Sequence, residues 1–325
     1  MLSLPRPSGN RTLAGLLYES VVSGHPLLKG RAHDPPTPLV VQRLDAAYLL
    51  PRSGGYMNLH ECRALLVGCG AVGGHIALGL ARAGIGQLTI VDPDVMRPEN
   101  IFRHVLGKSA VSKPKAIALR HEIEDKYPYV RITTHEILIE EALAQGTVKL
   151  SEYDLVISAL GNTTIERYLN RCLHERTPGP LAVFAWLEPH GIGGHALLTH
   201  PGRPGCLECL YTSLRDDNMA LVNRAALAAP GQRFGKDDLG CGSLYTPYGA
   251  LDAERTAVQA CSLAIDGLLG YEEGSPILTW KGSAEGFIAA GFRTSERYQL
   301  SPGQLHETRY THIAPSCPVC GGCGG

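Results

Sequence analysis

Apolar residues in this 325-residue chain change their spacing along its length. From Arg63 onward, short continuous apolar runs alternate with longer stretches in which apolar positions recur every three or four residues. The runs predict strands over Ala64–Val67, Gln87–Asp92, Val130–Thr134, Tyr153–Ala159 and the segment LAVFAW from Leu181 to Trp186. The longer stretches predict helices over Ala71–Ala83, Ser112–Lys126 (ended by Pro128) and Thr163–Arg176, with a shorter one before Tyr153. Strands that alternate with helices of this length predict an α/β fold with a doubly wound, mainly parallel sheet.

Beyond Trp186 the alternation stops. The segment GGHALLTHP reads as an exposed-edge strand, residues 211–246 as loop, and Pro247–Leu269 as a long apolar helix. ILTWKG and GFIAAGF read as an antiparallel hairpin, so an antiparallel extension is expected at the C-terminal end. Residues 1–40 are rich in Pro, Gly and Arg and read as a lead-in or linker, with one helix over the apolar patch Leu13–Val22. Leu39–Leu50 is expected to form a helix on the main body. The domain division is therefore 1–40 and 41–325, the latter with a nucleotide-binding half over 63–186 and a second half over 187–325. No internal repeat is visible.

Composition narrows the function classes. With 44 % hydrophobic and 19 % charged residues the chain can bury a sizeable core. A net charge of −1 argues against a nucleic-acid partner. Its longest apolar runs fall far short of the roughly 20 residues that span a bilayer, so no membrane partner is expected. The N-terminal residues show no apolar core behind a basic start, hence no signal peptide and an expected cytoplasmic location. Ten cysteines in such a chain point to metal ligands or a reactive thiol instead of disulfides.

Local motifs carry the chemistry. The loop Gly68-Cys69-Gly70-Ala71-Val72-Gly73-Gly74 follows a strand and opens a helix, a place where backbone N–H groups meet phosphate. Asp92 ends the next strand, about 20 residues on, where a carboxylate can hold ribose hydroxyls. Downstream, Asp94, Asn100, Arg103, Lys113 and Lys115 are expected to gather at the loop mouth, and cations there suit a leaving pyrophosphate. A nicotinamide-dependent oxidoreductase would use the same loop, but those cations and the lack of a substrate acid/base pair disfavour it. Two CxxC pairs, Cys206/Cys209 and Cys317/Cys320, lie more than a hundred residues apart and together make a Cys₄ zinc site. Cys323 is a bystander or a substitute ligand. Cys62, Cys172 and Cys261 read as core residues, and Cys69 as a packing residue.

These motifs together resemble the ThiF/MoeB/E1 adenylating enzymes, whose glycine loop, D-x-D strand end, N-x-x-R and P-K-A phrases stand here as GCGAVGG, VDPD, NIFR and SKPKA. The resemblance runs from about Arg43 to the C-terminus. It implies a Rossmann-like adenylation fold that binds ATP with Mg²⁺, in which Asp92 holds the ribose and Asn100, Arg103 and Lys115 contact phosphates. An arginine ahead of the first strand also reaches ATP in the family; Arg52 is the candidate here and Arg43 the alternative. RLDAAYLLPRSGG, FRHVLG and WLEPHGIGGHALL look closest to the E1 half of bacterial fused E2–E1 proteins of CBASS antiphage and related operons. That branch implies adenylation of the C-terminus of a ubiquitin-like or cGAS-like partner, a thioester, transfer to an E2 and a homodimer. The first 40 residues are too short to be an E2, so the chain is either a piece of such a fusion or a stand-alone E1.

One phrase departs from the family. Its thiamine- and molybdopterin-pathway members carry an Asp after the fourth strand that helps hold Mg²⁺; here the phrase is ALGN and Gly161 takes that place. Asp94 or Glu166 is then left for the metal, and an inert E1-like scaffold is one alternative, a sulfur-carrier adenylyltransferase another. Cys241, between glycines before the long helix, lies where the family places its crossover loop and thioester nucleophile. His190 and His195 read as loop and strand residues near the modifier-binding surface. The terminal GGCGG reads as a loose end after the second CxxC.

Overall fold

A computed structural model gives the fold and describes residues 2–3, 37–38, 42–175, 178–212, 221–237, 244–245 and 247–321. The chain divides into two compact units, Met1–Leu49 and Leu50–Gly325. In the first, Leu2–Ser3 pairs antiparallel with Thr37–Pro38. The helix expected over Leu13–Val22 lies outside the described residues. The helix expected over Leu39–Leu50 is found later, as α1 (Ala46–Arg52). Its start is set by Asp45, whose carboxylate accepts the N–H of Tyr48 at 3.1 Å and also pairs with Arg43 at 2.8 Å.

The second unit is built on one seven-stranded sheet. Its strands are β1 (Arg63–Val67), β2 (Gln87–Val91), β3 (Arg131–His135), β4 (Leu155–Ser158), β5 (Leu181–Leu187), β6 (Gly193–Thr199) and β7 (Ile277–Lys281). Their order across the sheet is β3-β2-β1-β4-β5-β6-β7. The five strands from β3 to β5 run parallel, while β6 and β7 are antiparallel to their neighbours. The predicted α/β class and antiparallel end are thus both present.

Helices cover both faces, as a parallel sheet requires. They are α2 (Ala71–Ala83), α3 (Lys115–Lys126), α4 (Ile139–Ala144), α5 (Thr163–His174), α6 (Ala250–Leu268), α7 (Glu285–Ala289) and α8 (Pro302–Glu307). Alternation along β1 divides the core: Ala64 and Leu66 face Ile76 and Leu80 of α2 and Ala260 of α6, whereas Leu65 and Val67 face Leu169 and Leu173 of α5. The predicted start of α3 at Ser112 is corrected to Lys115. Ser112 sits at φ 69° and Pro114 takes the cap, neither compatible with a helix interior.

Two C-terminal expectations are overturned. GGHALLTHP is no edge strand: β6 lies between β5 and β7 and all seven of its residues are buried. GFIAAGF is no hairpin arm, because ILTWK pairs with β6 and the following segment forms α7. Burial of Phe287 explains the difference. It is fully enclosed by Ile192, Leu227, Phe234 and Phe292, a pocket that one helical turn fills. Replacing Phe287 by Ala is expected to cost about 3–5 kcal/mol, whereas Ile288→Ala, at a 59 % exposed neighbour, should change stability by less than about 0.5 kcal/mol. Urea unfolding of the two variants tests this.

Candidate active site

The strand order creates the site before any side chain is considered. Connections from β1 and β4 leave in opposite directions, so a crevice opens where their C-terminal ends lie side by side, the usual ligand position in such sheets. The glycine loop leaves β1 at this point. Gly68 has φ 85°, and a Cβ on Gly73 would lie 2.0 Å from the Gly68 carbonyl oxygen, so the loop can close onto α2 only with glycine there. A Cβ on Gly70 would meet nothing within 4 Å, so this residue faces open space. Gly70 caps α2 without a side-chain hydrogen bond, which leaves the first N–H groups of the helix for an anion. The donor set and the open space fit a phosphate group.

Asp92 fixes this loop to the end of β2. Its carboxylate, 5 % exposed, accepts the N–H of Cys69 at 2.7 Å and of Asp94 at 2.8 Å. His104, which the sequence reading missed, supports the same loop: Nε2 lies 2.7 Å from the Cys69 carbonyl oxygen while Nδ1 accepts the Leu106 N–H. Lys115, also buried, donates to Asp94 at 2.7 Å. Asn100 accepts the Arg97 N–H at 3.1 Å, and the Arg103 guanidinium lies 5.1 Å from the ring centre of Tyr248. Asp92, Asp94 and Lys115 therefore form one connected group around the loop. Arg103 is not in the cleft lining: it approaches Tyr248, which is, and itself lines a neighbouring pocket with Phe102, His75 and Glu254.

The cleft has a volume of about 400 Å³. Gly70, Ala159 and Gly161 form its phosphate-like end, and Trp186, Glu188, Tyr211, Asn223, Phe234 and Tyr248 form the opposite wall. Where the family Asp is missing, Gly161 turns at φ 65°, and Glu166 from the first turns of α5 stands beside it in the lining. Glu166 accepts the hydroxyl of Ser158 at 3.2 Å. Burial pushes its pKa up to about 7, partly offset by Ser158 and by the N–H groups of Gly161 and Leu160.

The four predicted metal ligands do converge. Sulfur atoms of Cys206, Cys209, Cys317 and Cys320 all lie within 4.8 Å of one another, with 3.7 Å between Cys206 and Cys317 and 3.4 Å between Cys209 and Cys320. A tetrahedron with metal–sulfur bonds of about 2.3 Å needs sulfurs about 3.8 Å apart. Packed this closely, they cannot all ionise alone: hydrogen bonds from neighbouring sulfurs hold Cys317 and Cys209 low, and Cys206 and Cys320 are driven up. A dication removes that conflict. The first pair is clamped to α5, where Arg167 grips Glu208 with two bonds of 2.5 and 2.9 Å and Asn170 accepts the Leu207 N–H.

Other predicted residues are placed as follows. Arg52 is exposed at the end of α1, and Arg43 belongs to the first unit. Lys113 is exposed. Cys241, Cys323 and the last four residues of the chain lie outside the described residues. Cys261 is buried against Gly79 and its pKa rises to about 12, and burial likewise keeps Cys69 a neutral thiol. Cys62 and Cys172 are half-buried and pack against the margins of the core. His195 is a strand residue as expected, fully buried in β6 and bonded to Glu188 and Thr279. Sequence reading missed Glu188, Tyr211, Asn223 and Tyr248 because only tertiary contacts between distant loop segments bring them to one wall.

A sheet wound about a glycine loop at its switch point, with an acid at the end of β2 and a four-cysteine cluster beyond β6, defines a nucleotide-binding α/β protein with a thiolate knuckle. The chain belongs to the ThiF family, whose model matches residues 45–323. Among curated proteins it is 31 % identical over 245 residues to the ATP-dependent ubiquitin transferase-like protein Cap2 of Pseudomonas aeruginosa, covering 73 % of this chain and 41 % of that one. It is 26 % identical to the Cap2 protein of Escherichia coli, over 87 % of this chain and 45 % of the relative, and 27 % identical to molybdopterin-synthase adenylyltransferase of Escherichia coli, over 54 % and 68 %. The chain thus spans less than half the length of these Cap2 relatives. Its fold matches the crystal structure of Escherichia coli MccB with ATP, with a TM-score of 0.56 at 18 % identity, covering 81 % of this chain and 67 % of that one. Among the described residues no helix is long and apolar enough to cross a membrane.

The raised pKa of Glu166 has a signed consequence. Between its ordinary pKa of 4.5 and its folded value of about 7, the native state holds a proton that the unfolded state has released. This contribution therefore lowers stability as pH rises across that window, by about 3 kcal/mol in all. Glu166→Gln should remove it. Comparing urea unfolding at pH 5 and pH 8, the variant should gain on the native protein by about 2.5 kcal/mol at the higher pH; a gap independent of pH would overturn this.

Proposed function

We propose that this chain is an ATP-dependent, E1-like enzyme that adenylates the C-terminal carboxylate of a partner protein, a ubiquitin-like or cGAS-like protein in bacterial antiviral defence. The observation that supports it most is the pairing of an open anion cradle at Gly70 with a peptide-sized cleft continuing away from it. A carboxylate oxygen of the partner attacks the α-phosphorus of ATP, the bond to the β-phosphate breaks, and pyrophosphate leaves with its charge met by Arg103 and Lys115. Asp92, with Asn100 and Arg52, completes the nucleotide contacts. In the second step the Cys241 thiolate attacks the acyl carbon, AMP leaves, and the thioester passes to an E2 cysteine.

Metals enter by the donor sets described. Asp94 or Glu166 would hold Mg²⁺, which would supply charge neutralisation at the phosphates. Cys206, Cys209, Cys317 and Cys320 would hold Zn²⁺ in a closed structural site. A homodimer in the cytoplasm is the expected assembly. Resemblance to the molybdopterin-synthase adenylyltransferase supports a second reading in which the partner is a sulfur carrier and the adenylation step is unchanged.

ATP–pyrophosphate exchange tests the reaction. Exchange should require a partner with an intact C-terminal carboxylate and fall about a hundredfold or more in Lys115→Ala. Cys241→Ala should retain exchange and lose the thiol-sensitive adduct. Tight ATP binding without exchange for any candidate partner would instead identify an inert scaffold. Elemental analysis should find about one zinc per chain, reduced in Cys317→Ser.

A further inference from the structure

The phrase WLEPHGIGGH is left without a task by the reaction above, yet it is built with unusual closeness. A Cβ on Gly191 would lie 2.3 Å from Asp252, on Gly193 2.5 Å from the Trp280 carbonyl oxygen, and on Gly194 2.2 Å from the Thr256 hydroxyl. These contacts seat the start of β6 against α6 and β7. They bring His195 beneath the end of β5, where its ring stacks on Trp186 at 4.9 Å.

From there a hydrogen-bonded chain runs to the cleft. The Thr279 hydroxyl lies 2.9 Å from His195 Nδ1, and His195 Nε2 lies 3.0 Å from Glu188 Oε1. Its consistent assignment has Thr279 donating to Nδ1 and Nε2–H donating to Glu188. The Leu227 N–H donates to the same oxygen at 3.1 Å. Glu188 is 5 % exposed and lines the cleft, and its Oε2 has no hydrogen-bond partner among the described residues. Two donors thus fix one oxygen of a buried carboxylate in the cleft lining and leave the other as an acceptor without a donor among the described residues. Around it stand Trp186, Pro189, Phe234 and Asn223, apolar and amide groups that suit an extended polypeptide better than a phosphate.

We propose that Glu188 Oε2 accepts a backbone N–H of the last residues of the incoming protein tail, with His195 and Thr279 as positioning residues for it. This rests on the adenylation reading and adds to it the residue that aligns the tail's main chain. A main-chain contact works for tails of different sequence, and a terminal carboxylate offers no N–H to this acceptor, so it is passed beyond Glu188 toward the glycine loop.

Calorimetry with two probes tests it: 5′-O-sulfamoyladenosine, and the same nucleoside carrying N-acetyl-glycyl-glycyl on the sulfamoyl nitrogen. The native protein should bind the dipeptidyl form more tightly. Glu188→Gln, which turns the acceptor into an amide, should erase about tenfold of that gain while leaving the bare nucleoside's affinity unchanged. His195→Gln, whose amide can still donate to Glu188, should keep most of the gain, and His195→Leu should lose it. A gain that survives Glu188→Gln, or an equal loss for both probes, overturns the assignment. If the native protein binds neither probe, the nucleotide reading itself fails and the inference falls with it.

Discussion

The site depends first on one buried carboxylate. Asp92 ends β2, yet its two oxygens are occupied by N–H groups of Cys69 in the glycine loop and of Asp94 in its own turn. A carboxylate this deeply buried must find donors, because an unpaired charge there would cost several kcal/mol. That necessity couples two strand ends to one loop shape. Lys115, reached through Asp94, and His104, reached through the Cys69 carbonyl, are placed relative to the same fixed point. The phosphate end of the cleft is thereby organised before any ligand arrives, the condition under which oriented dipoles stabilise developing charge.

The opposite wall is organised by different means. Its residues come from segments around 186–188, 211, 223, 234 and 248, and no single element carries them. Close glycine packing sets the first segment, the Arg167–Glu208 pair and the cysteine knuckle hold the segment running to Tyr211, and the aromatic group around Phe287 supports Phe234. One wall therefore follows from sheet topology, and the other from tertiary contacts that pin loops.

This contrast explains what was legible in the sequence. Elements of the parallel half were readable because each carries its own signal: β1 and β2 as apolar runs, α2 as a glycine-capped periodic stretch, the CxxC pairs by spacing. Even the convergence of cysteines more than a hundred residues apart could be read, since tetrahedral coordination needs two such knuckles. The second half was misread where burial departs from periodicity. GGHALLTHP alternates weakly because β6 is buried on both faces, and GFIAAGF looks strand-like although one phenylalanine pocket selects a helix. Glu188 escaped notice because its meaning lies in contacts with His195 and Leu227, which only the folded chain brings to it. The family departure at Gly161 was visible, but the nearness of buried Glu166 depends on how α5 begins.

The cysteine knuckle has a topological consequence. It joins the chain just after β6 to the chain just before its end, so bridging the four sulfurs closes a ring of more than a hundred residues. That ring contains Asn223, Phe234, Tyr248, α6 and β7, but neither the glycine loop nor Asp92. The molecule is thus divided along its chain into a nucleotide-loop segment that lies outside the ring and a later segment closed on itself at the four sulfurs, the two joined by one sheet and one core. Loss of one thiolate to oxidation would loosen the two cysteine turns from each other, while α6 and β7 stay held by the shared core and the sheet.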